Sequence, residues 1–144
     1  MFSKEESARL RKEFWISFGK SFPRKWLLYN TKIKDLSLKF EADRKKAMVC
    51  IDISMKDFEL RQSYFEQFLS LKSLFLEEIP ELVFDNSYYL ESGKEISRIY
   101  VQLDKVSIHN KDSWQNIYTF FVANMDKLEK LFLEYQDFIK SAVY

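Results

Sequence analysis

Residues 96–132, ISRIYVQLDKVSIHNKDSWQNIYTFFVANMDKLEKLF, hold the fold in miniature. Ile99, Val101 and Leu103 alternate with Arg98, Tyr100 and Gln102, the period-two pattern of a half-buried strand. After a short loop, Trp114, Ile117, Phe121, Met125, Leu128 and Phe132 recur at steps of three and four, and Tyr135 and Ile139 continue the stripe. That is the period of an amphipathic helix, expected over residues 112–139 and started through Asn110 and Trp114. A strand with one apolar face followed by a helix with one apolar stripe implies two packed layers.

The rest of the chain repeats the same two periods. Ser3 and Glu6 have the spacing of a capping box, and Leu10, Phe14 and Phe18 follow at helical steps, which predicts a first helix over 4–20 that ends before Pro23. Trp26 to Tyr29 is a short apolar run and reads as a strand. Leu36, Leu38, Phe40 and Ala42, then Ala47, Val49, Ile51 and Ile53, alternate with polar or outward residues on either side of the charged turn Asp43-Arg44-Lys45-Lys46, the signature of a hairpin. Asp57 is a helix cap, and Leu60, Tyr64, Phe68, Leu71, Phe75 and Ile79 form the buried stripe of a helix stopped by Pro80. Leu82–Phe84 and Tyr88–Leu90 read as two short strands or one bent strand, and Gly93-Lys94 turns the chain into the strand at 96–103. The expected architecture is a single α+β domain over 1–144, two-layered, with a mostly antiparallel sheet, helices on one face, the other face open, and the order α-β-β-β-α-β-β-α.

Composition restricts function. The chain's 144 residues suffice for one core without disulfides or metals. No apolar run approaches a membrane span, and the charged opening MFSKEESARLRKEF argues against a secretory leader. A single cysteine, Cys50, fits a reducing cytoplasm. With only Gly19 and Gly93, no glycine-rich phosphate loop can be built. Residues 1–56 carry fourteen Lys/Arg against seven Asp/Glu, or +7, and residues 57–144 carry nine against fifteen, or −6. Such asymmetry marks either a basic face for nucleic acid or charges that cancel when the elements interleave, and the near-neutral total favours cancellation.

Several blocks, in order, resemble the bacterial family known as domain of unknown function 4268. These are KEFWISFG in the first helix, WLLYNTKIKDLSLKFEAD through the first hairpin, RQSYFEQFLSLKSLF in the middle helix and GKEISRIYVQLDKVSIHNKDSW at the close. The resemblance implies the same fold neighbourhood in a bacterial cytoplasmic protein. It also implies association with endonuclease-like or other DNA-related domains, which precede this block in longer relatives. It brings no catalytic residues.

No residue pattern demands catalysis. His109 is the only histidine and has no second ligand at metal-binding spacing, so it reads as a loop residue bonded to backbone. A metal nuclease needs clustered carboxylates and a lysine, for which Asp35, Glu41, Asp52 and Lys39 are the candidates, although the acidic-x-Lys signature falls on the turn at Asp43-Arg44-Lys45 rather than on a strand. The expected working surface is the outer sheet face, where Lys39, Glu41, Cys50, Asp52, Arg98, Tyr100 and Gln102 would meet, with Arg44, Lys45 and Lys46 as a basic turn able to contact nucleic acid. The reading is a non-enzymatic interaction module without metal or cofactor, whose partner is a protein or nucleic acid; the alternative is a degenerate or metal-dependent nuclease-like domain. Phe120, Tyr118, Val122, Leu131 and Phe138 widen the apolar face of the last helix, which a second copy in a homodimer could cover.

Overall fold

The computed structural model describes residues 2–143. Helix α1 (Lys4–Ser21) begins where Ser3 Oγ accepts the Glu6 amide, as the spacing requires. Strands β1 (Leu36–Ala42) and β2 (Lys46–Ile53) form the hairpin. Then come α2 (Phe58–Ser70), capped by Asp57, and α3 (Lys72–Glu78), followed by β3 (Val83–Tyr89), β4 (Glu95–Asp104) and the long α4 (Trp114–Lys140). All neighbouring strands are antiparallel and the sheet order is β1-β2-β4-β3. The α+β architecture expected from the two periodicities is the one observed.

Two elements differ from expectation for identifiable reasons. The helix expected to run on to Ile79 breaks at Leu71 into α2 and α3. There the Leu71 amide bonds to the Phe68 carbonyl at 3.0 Å, a tightened 3-10-type turn that ends the α-helical ladder before α3 starts a new one. The 26–29 run is a loop, not a strand: the Leu27 amide is taken by Glu129 Oε2 at 2.7 Å, and Leu28 has a left-handed φ of 48°. Only its Leu28 carbonyl pairs with β1, accepting from the Leu38 amide at 2.9 Å. The two apolar fragments around 82–90 are one strand with a register shift between Asp85 and Tyr88.

The core lies between the inner sheet face and the helices. Ala47, Val49, Ile51, Ile53, Ile99 and Val101 face Phe68, Phe75, Ile117, Phe121, Met125 and Phe132. Aromatic rings join the layers at the β1 edge, where Phe14, Phe18, Phe40 and Phe121 pack tilted or edge-on at 4.8–6.2 Å. Tyr118 donates to the Phe14 carbonyl at 2.9 Å, which locks α1 onto α4. Of the five residues that widen α4, Tyr118 and Leu131 are buried, and Phe120 and Val122 pack against the core. Phe138 stays exposed at 42%.

The outer sheet face, expected to be open, is covered along its middle. The bulge in β3 folds Tyr88 over this face, and Met48, Cys50 and Arg98, all on its outward side, are 0–1% exposed. Burial here follows from the strand's irregularity, which pairing geometry creates and local periodicity does not record.

Candidate functional site

Strand register decides which outer-face residues meet. Asp52 pairs across from Arg98, Cys50 from Tyr100, Met48 from Gln102, and Glu41 from Met48. Arg98, fully buried, donates from Nε to Asp52 Oδ1 at 2.7 Å and from Nη2 to Oδ2 at 2.9 Å, a bidentate fork. The same guanidinium reaches Glu41 at 3.1 Å and 3.4 Å. Tyr88 closes over it, with the Arg98 guanidinium carbon 4.4 Å from the ring centroid and the tyrosine hydroxyl on Met48 Sδ. Burial works against the arginine's charge, but the bonds to Asp52 and the nearby carboxylates outweigh it and hold its pKa above the ordinary arginine value. Burial pushes the Cys50 thiol well up, so this cysteine is a packed, unreactive group.

The clamp bears directly on the nuclease alternative. Glu41 and Asp52 do converge, but on a guanidinium that supplies the neutralising charge a divalent ion would bring. Among the described residues, no group of three or more His, Cys, Asp or Glu gathers in metal-binding geometry.

Beside this clamp opens a cleft of about 930 Å3. Its walls are the β1–β2 turn, the start of α1, the loop at Ile108–His109, and the end of β3 with the turn after it. Five cationic side chains line it, Arg11, Lys39, Arg44, Lys45 and Lys46, against the three carboxylates Glu41, Asp43 and Glu91. Two of those three are already engaged. Glu41 accepts from Arg98, and Asp43 Oδ1 accepts the Lys45 and Lys46 amides at 2.7 and 3.0 Å. Arg11, Arg44, Lys45 and Lys46 enter no ion pair among the described residues. Five cations against three carboxylates leave the lining with a formal surplus of two positive charges.

The basic turn is held in place. The Ile108 amide donates to the Asp43 carbonyl at 3.1 Å and the Val106 amide to the Lys45 carbonyl at 3.4 Å, so the 105–110 loop braces it from behind. His109 sits in this brace as a loop residue, but no bond from its ring to backbone, of the kind expected from sequence, is found among the described residues. Its amide donates to Ser107 Oγ and its ring packs 4.9 Å from Phe2, while its buried Nε2 has no partner among the described residues.

Of the residues expected on the working surface, Lys39, Glu41, Arg44, Lys45 and Lys46 line the cleft. Asp52 and Arg98 lie beneath it as a structural pair, and Tyr100 stands edge-on to Tyr88 at 5.6 Å. Gln102 sits apart, donating to Asp104 at 2.7 Å. Sequence reasoning missed Tyr88 as a cleft residue, and missed the polar cluster that shapes the bulge, whereas Arg11, one of the basic residues open to a phosphate backbone on sequence grounds, does line the cleft. In that cluster the buried Arg61 of α2 donates to the Glu95 carbonyl and carboxylate, Gln62 and Asn86 exchange amide bonds at 2.6 and 3.0 Å, and Ser97 Oγ donates to Asn86 Oδ1 at 2.6 Å. Glu95 is held below the usual carboxylate range by hydrogen bonds from Ser87, Tyr89 and Arg61. Asn86 and Ser87 stand side by side at the register shift, which is the one local sign of a bulge.

A family model described as Domain of unknown function (DUF4268) matches residues 10–136. The chain belongs to that family. The match extends from α1 almost to the end of α4, so the sheet, the arginine clamp and nearly all of the cleft wall lie within the DUF4268 domain. Comparison with curated proteins and with solved structures gives no significant match. Among the described residues, no helix is long and apolar enough to cross a membrane.

Proposed function

We propose that this DUF4268 domain is a non-enzymatic interaction module that binds nucleic acid through phosphate contacts in the basic cleft and works in the bacterial cytoplasm. The observation that carries the reading is the surplus of free cations around one concave site. Among the described residues four of the five cleft cations are in no ion pair, and of the three acids Glu41 is paired with Arg98 and Lys39. Cancellation across the two charge-asymmetric halves is limited. Of the basic residues in the first part of the chain, Arg24 reaches the acids of α4, at Asp126 (2.8 Å) and Glu129 (2.7 Å), while the turn cations stay clear of them.

Phosphate neutralisation releases counterions, so affinity must fall linearly with the logarithm of salt concentration. A filter-binding titration against a nucleic acid of mixed sequence tests this. Reversal of Arg44, Lys45 and Lys46 to Glu should flatten the salt slope by about three, one unit per lost phosphate contact. All three side chains are at least partly exposed in a turn braced through backbone, so the melting temperature should change little. Retention that is absent at low salt, or indifferent to salt, removes the proposal.

A further inference from the structure

Resting on that reading, we infer that the cleft takes single-stranded rather than duplex nucleic acid, with Tyr88 as its stacking platform. Size is the first argument. At about 930 Å3 the cleft lies at the upper end of the roughly 300–1,000 Å3 that encloses a drug-sized ligand. That is room for a few nucleotides of one strand. A duplex is a stiff two-stranded rod with its bases stacked inside, and can only lie its phosphates across the rim.

The second argument is the ring itself. Tyr88 is half-buried, lines the cleft, and has a guanidinium against one face. Every base has a π-face able to stack on an aromatic ring, and the guanidinium against Tyr88 holds that ring in place from the sheet side. The ring is also held still. Its hydroxyl rests on Met48 Sδ, Tyr100 packs T-shaped against it at 5.6 Å, and the bulge that presents it is fixed by Arg61, Gln62 and Ser97 through Asn86 and Glu95. A rigid aromatic surface beside a track of cations is the arrangement that binds unpaired strands without sequence readout, because phosphates meet the cations while bases stack. A paired base has its faces covered by neighbours and cannot use Tyr88.

Fluorescence anisotropy with labelled oligothymidine, oligouridine and a duplex of matched length separates the outcomes. The expected result is that at least one single strand binds about tenfold more tightly than the duplex, the size of one base–aromatic stack. Tyr88→Leu should abolish that preference while leaving the residual, salt-dependent binding of the duplex, and Tyr88→Phe should keep it. If Tyr88→Leu unfolds the domain, an abasic single strand of the same length serves instead: it keeps the phosphates, lacks the bases, and should lose the preference over the duplex, whereas an abasic strand that binds as tightly as oligothymidine overturns the stacking inference. Duplex binding equal to or tighter than both single strands overturns the single-strand inference and leaves phosphate binding standing. Binding of none of the three overturns both.

Discussion

Replacing Arg98 by alanine is the sharpest test of the clamp at the centre of the outer face. The variant leaves Asp52, 7% exposed, without its bidentate partner, and empties the space beneath Tyr88. Removing one partner of a buried ion pair typically costs about 3–5 kcal/mol, because the other charge stays desolvated. The Glu41 branch adds little: its side chain is 34% exposed, so water screens the loss to well under about 1 kcal/mol. For a domain of 144 residues, a loss of about 3–5 kcal/mol corresponds to a melting temperature lower by roughly 10–15 °C. Urea denaturation followed by tryptophan fluorescence measures it directly, since all three tryptophans lie against the core at half-buried positions. The double variant Arg98→Met with Asp52→Leu should recover most of the loss, because apolar groups of similar volume need no charge partner. A cost for Arg98→Ala under about 1 kcal/mol, the worth of an exposed pair, would refute the clamp. So would a double variant no more stable than the single one.

Three further outcomes follow from the packing. Cys50, 0% exposed with its thiol pushed up by burial, should react with a thiol reagent only as the domain opens, and labelling of the native protein at the rate of a free thiol would contradict its position. Phe121→Ala should cost about 3–5 kcal/mol in urea, since this fully buried ring meets Phe14, Trp15, Phe18 and Phe40; a cost below about 1.5 kcal/mol would mean that the aromatic cluster is not packed as described. The Glu95 pKa is depressed, so its contribution is complete above the ordinary glutamate value near 4.3 and is lost as pH falls through the lower folded value. Stability measured from pH 6 down to pH 3 should therefore fall less steeply for Glu95→Gln than for the native chain, and parallel curves would remove the assignment.

Much of the fold was legible because the chain states its periods clearly. Strict alternation in 36–42 and 46–53 specified the hairpin and its register, since a slip by one residue would turn Leu38, Val49 and Ile51 outward. The stripe from Ile117 to Ile139 specified α4 in the same way. What escaped were features created by residues far apart in sequence. Nothing around Trp26–Tyr29 shows that Glu129 will capture the Leu27 amide from another element. Nor does the pattern of 82–90 show that Arg61 and Gln62, on α2, will stabilise a bulge in β3. The candidate site divides along the same line. Alternation placed Lys39, Glu41, Asp52 and Arg98 on one face, and the charged turn announced Arg44, Lys45 and Lys46. Tyr88 reached the cleft only through the bulge.

That bulge links stability to binding. Arg61, Gln62 and Ser97 fix Asn86 and Glu95, and this sets where β3 changes register. The register change carries Tyr88 over Arg98, and Tyr88 in turn excludes water from the Arg98–Asp52 pair. A dry pair is strong, because a low local dielectric magnifies the attraction between its charges. The same ring forms one wall of the cleft whose opposite wall is the braced turn with Arg44, Lys45 and Lys46. The outer face therefore needs no helix layer at this point: one tyrosine covers the buried charges and also lines the cleft. This economy also sets a constraint. A substitution that loosens the bulge must wet the clamp and displace the cleft wall together, so stability and any affinity residing in this cleft should decline in step for changes at Asn86, while changes at Arg44 should affect affinity alone.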